Sequence, residues 1–400
     1  MPAVLYLLAL AVFAMGTSEF MLAGLLPDIA ATLDVSLGTA GLLTSAFAAG
    51  MVVGAPLTAA LARRWPPRAA LLGFLLAFAA THVVAALTTT FPVLLATRVL
   101  AALANAGFLA VALTTVTTLV APDRHARALA VLLSGTTLAT VAGVPAGALL
   151  GTLVNWQATF VAVALLCLPT TLTLLTASPT LPHRESNPPA PRVQRSRTPS
   201  PTFAPGLRAE LAQLTRPGLA VVMLLGALVN AATFATFTYL GPIVTDAAGL
   251  AGLWVPVALV LFGLGSFAGV TVAGRLADRR PGLVVAVGTP LTLLGWVTLA
   301  LLAGEPAALL TLAFTQGALS FAVGATLIAR VLHEAAGAPT MAGAYATAAL
   351  NLGAVGGPLL AGAAIGAGEL GPVWVSAALV TAASLVLASR RQAVAARRSR

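Results

Sequence analysis

Residues 4–27 read VLYLLALAVFAMGTSEFMLAGLLP. Apart from Thr17, Ser18 and Glu19 the run is apolar, and as one helix it is long enough to cross about 30 Å of hydrocarbon. No basic stretch precedes it, and no small-residue cleavage site followed by soluble sequence ends it, so it reads as a retained span. Glu19 is the costly residue. An ionised carboxylate inside a bilayer costs roughly 3 kcal/mol or more, so such residues face a bundle interior or a wet cavity.

The rest of the chain repeats this pattern. Its 400 residues are 59% hydrophobic and 8% charged, against about 25% charged in soluble domains. Apolar runs of span length recur at 4–27, 39–62, 69–89, 92–119, 128–151, 157–177, 218–242, 254–277, 282–303, 307–331, 341–366 and 372–389. The expectation is an all-α polytopic membrane protein with twelve transmembrane helices.

A net charge of +10 could suggest a nucleic-acid partner, but its placement excludes that class. All 21 basic residues are arginine, and twenty of them lie on alternate connections, at the adjoining span ends, or in the tail. The remaining connections carry only acids, among them Asp34, Asp246, Glu305 and Glu369. The positive-inside rule then puts both termini, and the Pro/Ser/Arg-rich segment between spans six and seven, in the cytoplasm of a multi-pass plasma-membrane protein. Trp156, Trp254 and Trp374 fall at the expected outer ends and Trp65 at an inner one.

The chain also repeats itself. LLPDIA from Leu25 returns as LGPIVT from Leu240, LARRWP from Leu61 as LADRRP from Leu276, and ATRVLAALANAG from Ala96 as FTQGALSFAVGA from Phe314. Two parallel six-helix halves imply a pseudo-twofold axis along the membrane normal, with a substrate site between them. The expected division is 1–177 and 218–389 for the halves, 178–217 for a disordered tether, and 390–400 for a basic tail.

Arg98 is the one arginine well inside a span. By rise per residue, Glu19 and Arg98 lie at similar depth, about 12 and 9 Å below the same face. One reading makes them a lock between the first and fourth helices. The other gives Glu19 a proton to carry, because a carboxylate balanced between burial and a nearby guanidinium exchanges its proton when its surroundings change. The repeat-related positions are Phe234 and Gln316, so the charges belong to one half.

Gly143, Gly147 and Gly151 leave one face of the fifth helix bare around Pro145, and Gly353, Gly357 and Pro358 repeat the theme in the eleventh. Small faces permit close approach and sliding, and proline loosens the hydrogen-bond ladder. GLGSFAG from Gly263 mimics a dinucleotide-binding signature but lies mid-span, where packing is the better reading. Cys167 is solitary, His82, His125, His183 and His333 lack ligand spacing, and no catalytic constellation is present. Neither enzyme, metal centre nor cofactor is expected. Asn105, Asn230, Phe234, Phe237, Gln316 and Asn351 are the candidate cavity residues, apolar and sparingly polar, suited to an uncharged amphipathic molecule.

GRLADR from Gly274 resembles the cytoplasmic-loop signature of the major facilitator superfamily, and GVPAG from Gly143 the fifth-helix motif of its drug/proton antiporters. GTSEFMLAGLLPDIA, GLLTSAFAAGM, TRVLAALANAGFLAVAL, FTYLGPIVTD and FGLGSFAGVTVAGRLAD look like the chloramphenicol-resistance efflux proteins of actinobacteria. The resemblance implies proton-coupled efflux of chloramphenicol or a related uncharged drug, with the proton as coupling ion, by a monomer surrounded by lipid. It implies coupling roles for Glu19 and Arg98, and a cytoplasmic gate containing Gly274, Asp278 and Arg279. The first-half loop departs from the signature, with Arg63 where it has Asp and Pro66 where it has Gly. Two alternatives stay open: a sugar, nucleoside or amino-acid metabolite exporter on the same fold, and a non-transporting membrane sensor.

Overall fold

In the computed structural model, residues 2–61, 65–176, 210–277, 281–338 and 341–398 are described. Among them twelve helices are long and apolar enough to span a membrane. They are α1 (Ala3–Gly24), α2 (Leu37–Thr58), α3 (Pro67–Leu87), α4 (Phe91–Val116), α5 (Arg127–Leu153), α6 (Trp156–Thr176), α7 (Pro217–Thr238), α8 (Trp254–Leu276), α9 (Gly282–Leu302), α10 (Pro306–Glu334), α11 (Ala342–Ala367) and α12 (Gly371–Arg390).

Local chemistry explains many of the starts. Proline occupies the first turn of α3, α4, α7 and α10, where its missing N–H costs nothing. Before α6 the Asn155 side chain caps the helix by accepting the Ala158 N–H at 2.8 Å. Four spans depart from a simple helix, among them α6, interrupted at Cys167, and α11, which ends in a 3-10 turn over Ile365–Ala367. α1 is α-helical from Ala3 to Phe20 and then tightens to a 3-10 turn over Met21–Gly24. α5 contains a π turn at Ala139–Gly143, just ahead of Pro145, and a proline cannot donate to the preceding turn.

The packing is pseudo-symmetric. In the first half α1 packs on α5 and α6, α2 on α4, and α3 on α4 and α6; in the second, α7 packs on α11 and α12, α8 on α10, and α9 on α10 and α12. Two seams join the halves, α2 on α11 and α5 on α8, each the symmetry counterpart of the other.

Two expectations are corrected at the edges and a third gains detail: the last helix runs on to Arg398, so Arg391, Arg397 and Arg398 of the expected basic tail extend it. The end of the expected tether is ordered against α11: the Glu210 carboxylate accepts the Met341 N–H at 2.9 Å, and the Tyr345 hydroxyl donates to the Glu210 carbonyl at 2.8 Å. Trp156 is buried in the first half, 1% exposed, whereas Trp65, Trp254 and Trp374 are about half exposed. Residues 177–209, with Arg63, Asp278 and Arg279, lie outside the described residues.

Candidate functional site

Arg98 is 1% exposed, and α1 supplies its partners. Its Nη1 donates to the Ser18 hydroxyl at 2.9 Å and its Nη2 to the Ser18 carbonyl at 2.8 Å. The guanidinium carbon stands 4.4 Å from the centre of the Phe47 ring, a cation–π contact from α2. The Ser18 carbonyl is among the last four of the α-helical stretch ending at Phe20. Such carbonyls lack an intrahelical partner, and the negative end of the helix dipole favours a cation. His82 completes the cluster, with Nε2 2.7 Å from the Ser18 hydroxyl and Nδ1 2.8 Å from the Phe78 carbonyl. Its ring packs on Phe78 and Phe160, centroids 4.2 and 5.8 Å away.

Glu19 is half-buried beside this cluster and makes no ion pair with Arg98; among the described residues the ion pair present is Asp123–Arg124. Shared depth therefore does not become contact. The residue that meets Arg98 is Ser18, one position earlier.

Phe20, next to Glu19, opens a second cluster at the boundary between the halves. Its ring lies 5.8 Å from Phe234 and 6.1 Å from Phe237, on α7. Phe237 continues to Phe262 of α8 at 4.8 Å, and Phe262 to Phe321 of α10 at 6.1 Å. Thr140, at the π turn of α5, and Thr233 complete the lining. The void they enclose is about 10 Å³, room for roughly one water.

The other expected cavity residues are dispersed. Asn230 donates to the Leu350 carbonyl at 2.7 Å and so ties α7 to α11. Asn351 donates to Thr347 of its own helix at 3.0 Å. Gln316 is fully buried and donates to the Thr292 carbonyl at 3.1 Å, facing α9. Asn105 is buried on α4. Of the gate candidates, Gly143 faces Thr17 and Phe13 of α1, Gly147 faces Thr159 of α6, and Gly357 faces Ala231 of α7. The Pro358 carbonyl accepts the Tyr239 hydroxyl at 3.1 Å. These are contacts within a half.

Different residues close the seams. Ser45 of α2 donates to the Val355 carbonyl of α11 at 2.9 Å. Gly263 of α8 lies against the Thr140 carbonyl of α5, where any Cβ would collide. Gly41 leaves room for the Tyr239 hydroxyl. These contacts lie in the half of the spans away from the termini. Near the termini face, Gly274 and Gly343 have nothing within 4 Å of where a Cβ would stand. Beyond the seams, on the face opposite the termini, a vestibule of about 640 Å³ opens between Asp28, Thr32, Asn155, Trp156, Thr245 and Gly252.

Sequence reasoning missed Ser18, His82 and Phe47, and on the aromatic side Phe20, Phe262 and Phe321. His82 carried a signal, as a titratable residue inside an apolar helix. The phenylalanines carried none beyond hydropathy.

A family model, Major Facilitator Superfamily, matches residues 8–347. The chain is 66% identical over 388 residues to a chloramphenicol resistance protein of Streptomyces lividans, covering 96% of this chain and 95% of that one. It is 31% identical over 361 residues to the inner membrane transport protein YdhP of Escherichia coli K12, covering 90% and 88%. Among solved structures it resembles a bacterial homolog to the human lysosomal transporter Spinster, in inward-facing and occupied conformation, with TM-score 0.74, 18% identity and 96% of each chain covered. Twelve spans, symmetric halves and these matches together place the chain in the major facilitator superfamily of multi-pass membrane transporters.

Proposed function

We propose that the protein exports chloramphenicol or a related uncharged drug across the cell membrane, in exchange for protons, as a monomer with both termini cytoplasmic. The observation that carries the reading is the 66% identity, over almost the whole of both chains, to a protein named for chloramphenicol resistance. Twenty of the 21 arginines on one side of the expected topology support the orientation.

Glu19 is the coupling residue in this reading. Among the described residues it is the only acid inside a span away from the span ends, and its neighbour Phe20 belongs to the aromatic cluster between the halves. Arg98 supplies positive charge nearby without neutralising the carboxylate. A proton arriving from outside occupies Glu19, the halves rock about the seams, and the proton leaves inward after drug is released outward. The apolar, aromatic lining suits a neutral amphipathic molecule. Exchanging one proton for a neutral drug moves one charge; 100 mV then supplies about 2.3 kcal/mol, roughly a 40-fold gradient.

The test is labelled chloramphenicol uptake into proteoliposomes under an imposed proton gradient, scoring the inward-pumping population. Wild type should accumulate drug, and Glu19→Gln should bind it without accumulation. Equal accumulation in both moves the proton site elsewhere. If wild type moves no chloramphenicol while a control antiporter does, the cargo is wrong and a metabolite becomes the better candidate.

A further inference from the structure

We propose that His82 is a positioning residue of the coupling site: it fixes the direction of the Ser18 hydroxyl, so that Ser18 instead of Glu19 holds Arg98 and the glutamate stays free to exchange its proton. The inference rests on the proton-coupled reading of Glu19 above.

Hydrogen-bond direction carries the argument. The Phe78 carbonyl can only accept, so the His82 Nδ1 2.8 Å from it donates. A neutral imidazole has one N–H, so Nε2 is an acceptor, and the Ser18 hydroxyl 2.7 Å away must donate to it. That uses the only hydroxyl hydrogen of Ser18. Its lone pairs are turned to Arg98 Nη1 at 2.9 Å, while its carbonyl takes Nη2 at 2.8 Å. A relay thus runs Arg98 to Ser18 to His82 to Phe78, each link a donor facing an acceptor, while the Arg98 Nε–H has no partner in the cluster. The ring cannot readily turn away, held as it is against Phe78 and Phe160. The charged groups around it are Arg98 from α4 and, through Arg98, Glu19 from α1; from α6 the uncharged Phe160 ring packs on it.

If the acceptor at position 82 is removed, the Ser18 hydroxyl is free to rotate and Arg98 loses a fixed partner in a site closed to water. The nearest replacement is the carboxylate of the adjacent Glu19. Pairing would hold Glu19 charged, because an opposite charge at short range favours the ionised form by about one pK unit or more. A residue that only filled space would leave proton exchange untouched.

The experiment measures the pH profile of chloramphenicol–proton exchange in proteoliposomes for wild type, His82→Leu and His82→Gln, with drug binding measured in parallel. Glutamine keeps a side-chain acceptor. The expected result is a profile moved by about one pH unit to the acid side in His82→Leu, with binding kept and His82→Gln close to wild type. A wild-type profile in His82→Leu, or the same shift in both variants, overturns the proposal. Absence of any proton exchange in wild type removes the coupling reading itself, and this inference with it. Should His82→Leu fail to fold, 15N-histidine spectra of wild type decide: the Nδ1–H tautomer at His82 supports the relay, and the Nε2–H tautomer or a doubly protonated ring overturns it.

Discussion

Asp28 stands at the mouth of the vestibule, in the first turn of the short helix Leu26–Thr32 that follows α1. It is exposed to that space, yet enough protein surrounds it for burial to raise its carboxyl above the ordinary 3.8. Raised in the folded state, it stabilises the fold only when protonated. That contribution is present at low pH and is lost as pH rises through the folded-state value. At neutral pH the charged Asp28 therefore works against the fold. Asp28→Asn should raise the thermal midpoint at pH 7 by on the order of 1 °C, solvent screening keeping the effect small, and the gain should fade as pH falls toward 4. Melting curves of the two proteins across pH 4–8 check this, and a lower midpoint for the variant at pH 7 would reverse it. The same residue scale marks where sequence reasoning stopped for the charged pair. Rise per residue predicts that Glu19 and Arg98 share a depth, but phase decides contact. Adjacent residues on a helix point to different faces, and the face that meets Arg98 carries Ser18.

At the scale of elements, the twelve spans were legible because hydrocarbon thickness sets a length that apolar runs reveal directly. The small-residue faces around Gly143–Gly147 and Gly353–Gly357 were legible for a similar reason, as periodic absences of side chains. Which neighbour each face meets was not legible, since periodicity names a face without naming what covers it. Those glycines admit α1, α6 and α7 within their own halves, whereas the α5–α8 seam depends on Gly263, from the stretch that mimics a nucleotide motif. It packs on the Thr140 carbonyl, beside the π turn. In lipid, helix association relies on close packing of this kind. Gly263→Leu should push α8 away from α5, lower the thermal midpoint and abolish drug accumulation, while Gly252→Leu, in open space, should leave both near wild type. Normal accumulation by a folded Gly263→Leu would show that the halves need no such approach at this point.

For the molecule as a whole, symmetry and asymmetry divide the work. Packing within each half follows one plan, and the two seams are counterparts under the same operation. A symmetric joint of this kind suits two alternative closures, one on each face. The chemistry is asymmetric, with Glu19, Arg98 and His82 in the first half and phenylalanine or glutamine at the repeat-related positions of the first two. The seam contacts described lie on the side away from the termini, so the proposed alternating-access cycle requires that they break and that the halves close nearer the termini. Spin labels report this directly. Ala31→Cys with Gly252→Cys places one label on each half at the vestibule, and Asp123→Cys with Thr215→Cys does the same near the termini; the single native Cys167 is buried. In the substrate-free wild type the vestibule pair should give one short distance. Glu19→Gln, which imitates the protonated carboxyl, should add a longer population there and a shorter one in the other pair when drug is present. Opposite changes in the two pairs are the signature of alternating access. If both pairs stay fixed under conditions in which the labelled proteins still accumulate drug, the halves do not rock about these seams, and the substrate must pass by a path within one half.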